Sequence, residues 1–272
     1  MIEITKKAVF AERKKRPQKI YFQDGTGEPK WIGLSLEKDN PTFTVHMESI
    51  KKIFEIQTGL RLRRSSFNRD NYWRYVNEEE VAKIKDWIRD QGTLVYMRDC
   101  LSLSVALSIN HSPVGLLRHQ AKKRKDEVSI HKLADMVEQQ VKNLPYYKSA
   151  NLICSVPSPP GKDFDLPGRI ASLVGKGIKK QVITGGFVFG GPKSPVRRVS
   201  FEERWQKWKD ARISFQNGVF DVSGKKVILI DDMYQSGMTI QYIAMKLQQS
   251  QAREVYGFSL IKAVKNTDNV LR

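Results

Sequence analysis

The chain has 272 residues, enough to bury a full core as one large domain or two small ones. Its two cysteines, Cys100 and Cys154, form no CxxC pair, and its histidines (His46, His111, His119, His131) lack metal-ligand spacing, which excludes a disulfide framework and a cysteine-rich zinc module. A formal net charge of +18 attracts polyanions, while no stretch approaches the ~20 apolar residues of a membrane span and Met1 to Arg16 lacks the apolar core of a signal peptide, so the chain reads as cytoplasmic with no membrane partner.

Residues 1–91 read as a small α+β N-terminal domain. Strands are predicted over Lys19–Gln23, Lys30–Leu36 and Thr42–Met47, separated by the turn signals Asp24-Gly25 and Asp39-Asn40-Pro41. Ile50, Ile53, Phe54 and Ile56 give Glu48–Gln57 a helical period that stops at Gly59. Phe67–Val76 is aromatic-rich and reads as extended. Asn77 then caps a helix whose first turn holds Glu78, Glu79 and Glu80, where the helix dipole favours acids. Its inward face is predicted to be Val81, Ile84, Trp87 and Ile88.

From 92 to 272 strands alternate with helices. Strands are expected at Leu101–Ser108, Asn151–Val156, Lys226–Ile230 and Glu254–Ile261. Helices are expected at Ser129–Leu144, Leu166–Gly175, Phe201–Ala211 and Met238–Gln249. The pattern predicts an α/β domain with a doubly wound, mainly parallel sheet, in which ligands bind beyond the carboxyl ends of the strands.

The run Val227 to Thr239 carries the most specific chemistry. Four apolar residues, Val227 to Ile230, make a buried strand with Asp231 and Asp232 at its tip. Gln235, Ser236, Gly237, Met238 and Thr239 follow and open a helix. Gly237 lets backbone N–H groups turn toward an anion, the helix N-terminus adds partial positive charge, and Ser236 and Thr239 offer hydroxyls. The two acids would repel a phosphate. They suit the paired hydroxyls of a ribose.

This run resembles the phosphoribosyl-pyrophosphate signature of type I phosphoribosyltransferases. The resemblance implies that Asp231 and Asp232 hold the ribose 2′ and 3′ hydroxyls, and touch Mg²⁺ only indirectly through the ribose. It implies that Gln235 to Thr239 cradle the 5′-phosphate. Tyr234 stands where a small aliphatic residue is usual, and is expected to alter the base-side wall. Gln235 replaces a common threonine or serine. Residues from about Pro113 to Val264 resemble the competence-protein-F group of these proteins, through Ser112 to Arg118, Ser155 to Gly161, Gly218 to Val222 and the signature. The second stretch is similar to the family's pyrophosphate loop, which implies a role for Ser158, Pro159, Pro160, Gly161 and Lys162. Asp163 and Asp165 depart from it: two acids beside a pyrophosphate repel it unless Mg²⁺ lies between. Lys193, Arg197 and Arg198, in or beside the stretch Gly185–Pro195, are candidates for pyrophosphate charge, or are a solvated basic loop.

The activity so implied is phosphoribosyl transfer, or cleavage at the ribose anomeric carbon, on phosphoribosyl pyrophosphate or a nucleotide with Mg²⁺. Cys154 reads as core packing. Related proteins with unrelated appendages occur among effectors of bacterial anti-phage systems such as retrons, and by that analogy a nucleotide sensor or toxin effector is the alternative, with a ribonucleoprotein or an oligomer as its expected setting. Each basic cluster alone reads as a solvated loop. Together, Arg61, Arg63, Arg64, Lys122, Lys123, Arg124 and Lys125 are candidates for nucleic-acid contact. Phe67, Tyr72, Trp73 and Tyr75, beside Arg69 and Arg74, are the favoured stacking surface, whereas Trp205 and Trp208 share a helical face and read as core.

Overall fold

The computed structural model describes residues 2–22, 32–36, 39–192 and 199–264. Helix α1 (Lys6–Lys14) and strand β1 (Lys19–Tyr21) open the chain. Strands β2 (Ile32–Ser35) and β3 (Thr42–His46), helix α2 (Glu48–Thr58), strands β4 (Arg63–Arg64) and β5 (Asn71–Tyr75) and helix α3 (Glu78–Asp90) follow. Next come β6 (Val95–Met97), β7 (Leu103–Ile109), α4 (Pro113–Arg124), α5 (Glu127–Asn143), α6 (Pro145–Lys148), β8 (Leu152–Ser155), α7 (Leu166–Gly177) and β9 (Gln181–Ile183). The rest is β10 (Phe187–Phe189), α8 (Phe201–Asp210), β11 (Ile213–Phe215), β12 (Lys226–Tyr234), α9 (Met238–Gln249) and β13 (Glu254–Lys262).

Local chemistry sets several boundaries. Asn77 and Glu80 form the reciprocal capping box that starts α3, and Ser200 and Glu203 form another that starts α8. Ser112 caps α4, whose first turn takes Pro113 because no N–H is needed there.

The central sheet has seven strands in the order β1-β6-β7-β13-β12-β8-β9. The five from β7 to β9 run parallel, and β6 and β1 extend the sheet antiparallel. The sheet is doubly wound, as the alternating pattern predicts. Side chains alternate along β12: Ile228 and Ile230 pack with α5 and α7 residues such as Leu133, Val137 and Val174. Val227 and Leu229 face the other way, with Ile243, Leu247, Trp205 and Trp208 of α9 and α8. Residues buried on both sides read as continuous apolar runs, which is why the strands were visible.

β2, β3, β5 and β4 form a separate antiparallel sheet in that order. β1 does not join it. Its residues pair with β6, Lys19 opposite Met97, so the segment before residue 22 contributes to the central sheet across the expected boundary at 91. Phe43, Val45, Ile53 and Trp87 share one apolar cluster with Tyr96, Leu103 and Phe258.

Neighbouring strands β8 and β12 lead away in opposite directions: β8 to β9 on one side, β12 to β13 on the other. That divergence is a topological switch point, where the loops after the two strands part and leave a crevice. Both loops singled out in the sequence lie there.

Candidate active site

β12 does not stop at Ile230. It runs through both acids to Tyr234, because β13 continues beside it, Met233 pairing with Ile261 and Tyr234 with Lys262. Asp231 and Asp232 are therefore held on rigid strand backbone. Asp231 is buried, and its Oδ1 accepts the Asp232 N–H at 2.8 Å. Asp232 faces α4. Arg118 Nη2 donates to its Oδ2 at 2.6 Å, and Lys122 Nζ to the same oxygen. The two cations stand one helical turn apart and so share a face. Burial pushes the Asp232 carboxyl up, but the adjacent Arg118 and Lys122 overcome this and hold it below the usual carboxylate range. Lys122 is itself lowered, by burial first, with the Asp232 charge opposing.

The chain then turns at Gly237, with φ +76°, and enters α9. A residue with a side chain is strained in that conformation, and a Cβ would overlap the Tyr234 ring and hydroxyl. The first N–H groups of α9 have no intrahelical acceptor, as in any helix, and face the crevice end of the sheet.

Buried groups set the loop from several sides. The Tyr234 hydroxyl donates to Asp99 Oδ2 at 3.1 Å, and burial pushes the Asp99 carboxyl up to about 6. Lys262 Nζ donates to the Gln235 carbonyl at 3.1 Å and the Ala263 carbonyl at 2.7 Å. Burial lowers this lysine to about 7. Arg204 of α8, also buried, donates to Ser236 Oγ at 3.0 Å and to the Val199 carbonyl at 3.2 Å. Tyr234 reaches back under the loop to Asp99, although part of it still borders the cleft.

These residues enclose a cleft of about 480 Å³. Its walls include Asp231 to Ile240, Arg118, Lys122, Arg204, Trp208, and Val156 to Pro159 with Lys162 and Pro167. Pro160 and Gly161 turn outside it, Gly161 at φ +77°. The two acids that appeared to oppose an anion do not line the cleft. Asp163 is exposed and pairs with Lys125 at 2.7 Å, and Asp165 accepts from Ser158 Oγ at 2.7 Å. The cleft thus holds two carboxylates at one end of a surface otherwise rich in Lys and Arg. A cation there would take its remaining ligands from a bound molecule and water, since no cluster of three or more Asp, Glu, His or Cys forms among the described residues.

The other sequence candidates fall elsewhere. Lys122 belongs to the cleft, while Lys123, Arg124 and Lys125 sit exposed at the end of α4. Arg61, Arg63 and Arg64 are exposed on and beside β4. Lys193, Arg197 and Arg198 lie outside the described residues. Tyr72 is buried and Arg74 pairs with Glu80 at 2.5 Å, so both leave the anticipated stacking surface. Cys154 is buried on β8 and burial pushes its thiol up to about 12, a packing role. Trp208 stacks on Tyr242 with centroids 5.7 Å apart, in the core.

No protein-family profile matches the chain, and no curated protein matches it. Among solved structures the fold is similar to adenine phosphoribosyltransferase from Trypanosoma brucei, in complex with AMP, pyrophosphate and ribose-5-phosphate, at 13% identity and TM-score 0.37 over 59% of this chain and 83% of that one. It is similar to adenine phosphoribosyltransferase from Leishmania tarentolae at 10% identity and TM-score 0.38, over 62% and 96%. It is also similar to glutamine phosphoribosylpyrophosphate amidotransferase from B. subtilis at 16% identity and TM-score 0.36, over 80% and 46%. With TM-scores below 0.5, none of these likenesses decides what the site does, which is read from its own geometry.

Proposed function

We propose that the cleft binds a ribose 5-phosphate group, as phosphoribosyl pyrophosphate or a nucleotide, with Mg²⁺, and that the protein transfers or cleaves at the anomeric carbon. The observation that carries this is the order along one rigid segment: two strand-tip carboxylates, then a left-handed glycine, then a helix N-terminus. In this reading Asp231 and Asp232 accept from the ribose hydroxyls. The backbone from Gln235 to Thr239, with the Ser236 and Thr239 hydroxyls, holds the 5′-phosphate. Mg²⁺ supplies charge to the pyrophosphate oxygens. Ser158, Lys162, Arg118 and Lys122 face the same space, and Arg118 and Lys122 gain an anionic partner there when the sugar takes Asp232.

Transfer needs little more than this. The acceptor's lone pair forms the bond to C1 as the C1–O bond to pyrophosphate breaks. Pyrophosphate departs with that electron pair, and the acceptor's proton passes to solvent. Positioning and fixed positive charge lower the barrier without a protein nucleophile.

A second reading is a sensor of nucleoside monophosphates, acting as an effector subunit in anti-phage defence. It is favoured by the engagement of Asp232 with Arg118 and Lys122, which leaves one carboxylate neutralised before any ligand binds. Residues 1–91 would then be the partner-binding appendage, although β1 lies in the central sheet.

Calorimetry with phosphoribosyl pyrophosphate, nucleoside monophosphates and Mg²⁺, joined to mass spectrometry of products across a panel of bases, tests both. Asp231→Asn with Asp232→Asn should weaken binding more than tenfold, since each hydrogen bond to a charged group contributes about 1.5–3 kcal/mol. Unchanged affinity in the double variant overturns the ribose assignment. Tighter binding of the monophosphate with no product anywhere in the panel replaces the enzyme by the sensor.

A further inference from the structure

The four-stranded sheet has two unlike faces. Phe43, Val45 and Tyr72 turn into the core, where α2 lies against β3 and β5. On the opposite face the antiparallel register sets Arg63 across from Trp73, Trp73 across from Thr44, and Tyr75 across from Thr42. Directly opposed residues project from the same side, so a guanidinium, two aromatic rings and two hydroxyls share that face. The Trp73 and Tyr75 rings meet edge to face with centroids 5.0 Å apart, and Tyr75 is 58% exposed. Arg69 and Phe67 are exposed in the loop between β4 and β5, Phe67 fully, while Arg61 is exposed but pairs with Glu55 of α2 at 3.7 Å. Arg64, one residue from Arg63, pairs in register with buried Tyr72 and so belongs to the other side.

Tyr75 and Phe67 stand in water and Trp73 is half-buried, beside cations, and such exposure is costly for a surface that serves only solubility. Aromatic rings and cations are the two parts a single strand needs: π faces for unstacked bases and cations for the phosphates between them. A duplex has its bases already stacked and offers such a face only its backbone. The chain's net charge of +18 supplies the long-range attraction for a polyanion and opposes docking of a basic protein.

We propose that this outer face docks single-stranded nucleic acid, with bases stacked on Trp73 and Tyr75 and a phosphate held by Arg63. The surface is separate from the cleft, so it stands or falls independently of the ribose 5-phosphate reading.

The test is fluorescence anisotropy of the full chain with labelled single-stranded RNA and DNA of mixed sequence, about twelve nucleotides long, and with the matching duplex. Wild type should prefer the single strand. Trp73→Ala with Tyr75→Ala should weaken single-strand binding by about tenfold or more while leaving the salt dependence unchanged. Arg63→Gln should lower the salt slope by about 0.7, the contribution of one phosphate contact on a single strand. Trp73→Leu, which keeps an apolar side chain, should lose affinity in the same direction if the double variant unfolds. Better binding of RNA or DNA names the natural strand. Equal affinity for duplex and single strand, wild-type affinity in the aromatic variants, or no binding at low ionic strength each overturns the proposal.

Discussion

Lys262 is the most revealing residue to replace. It is 1% exposed at the end of β13, and it holds the Gln235 carbonyl at the start of the loop that leads into α9. Burial lowers its pKa from 10.5 to about 7, with a smaller contribution from Lys19. Between those values the unfolded chain binds one proton that the folded chain does not. Stability then rises with pH through that window, because the unfolded state binds more protons, and this contribution is flat below about 7. Methionine has a similar volume and no proton to lose. Relative to Lys262→Met, wild type should gain on the order of 1 kcal/mol for each pH unit above about 7, the value of one fully resolved proton. Near pH 6 the buried ammonium is at its most costly, and the variant should match or exceed wild type in stability. The same variant should bind a ribose 5-phosphate ligand more weakly at every pH, since Gln235 loses its tether. Urea unfolding at several pH values between about 6 and 9, followed by circular dichroism, gives the stability difference, and calorimetry gives the affinity. Stability curves for wild type and variant that stay parallel across that range would refute the reasoning.

Further substitutions at the glycine turn and at the Asp232 ion pair probe the site. Gly237→Ala places a Cβ in a left-handed residue, at roughly 1–2 kcal/mol, and against Tyr234 as well. It should lower the urea midpoint and weaken ligand binding by more than tenfold; Tyr234→Phe should not rescue it, because the ring remains in the way, and rescue would show that the hydroxyl alone matters. Arg118→Gln with Lys122→Gln removes the cations that lower the Asp232 pKa. In wild type the stability from that pairing is present above the ordinary carboxylate pKa and lost as pH falls through the depressed one, so the double variant should show a flatter acid limb of unfolding and an Asp232 carboxyl that titrates higher by NMR. An unchanged Asp232 titration would remove the ion pair from the account.

The features that were legible in the sequence are local. Met238–Gln249 coincides with α9, and the acids and glycine of the loop sit where a strand-to-helix turn needs them. What escaped depends on distant pairing. β1 reads as part of the N-terminal unit because its neighbours in sequence are strands, but the residue opposite its Lys19, Met97, lies beyond the whole of the second sheet in sequence. Arg204 sits in Glu-Glu-Arg-Trp-Gln-Lys-Trp-Lys-Asp, where nothing local separates it from its charged neighbours, and only the packing of α8 against α9 buries it beside Ser236. Lys262 lies one residue beyond the expected strand Glu254–Ile261, and only the pairing of β13 with β12 draws it into the sheet. Lys122 reads as one of the basic run 122–125. The spacing of Arg118 and Lys122 on one helical face was the available signal that these two act together.

The order of the central sheet has a consequence for how the chain is made. β12 and β13, the last strands in sequence among the described residues, occupy the middle of the sheet between β8 and β7. A growing chain that has emerged through residue 225 carries five of the seven strands but neither of those that join them. β7 and β8 then each present an open edge, and open edges invite pairing with other chains. The second sheet, built from residues 32–75, closes early through short-range pairings. The cleft, by contrast, cannot form before residues 226–262 are available, because β12 brings the acids and the loop into the gap and, with β13, joins the two halves of the sheet.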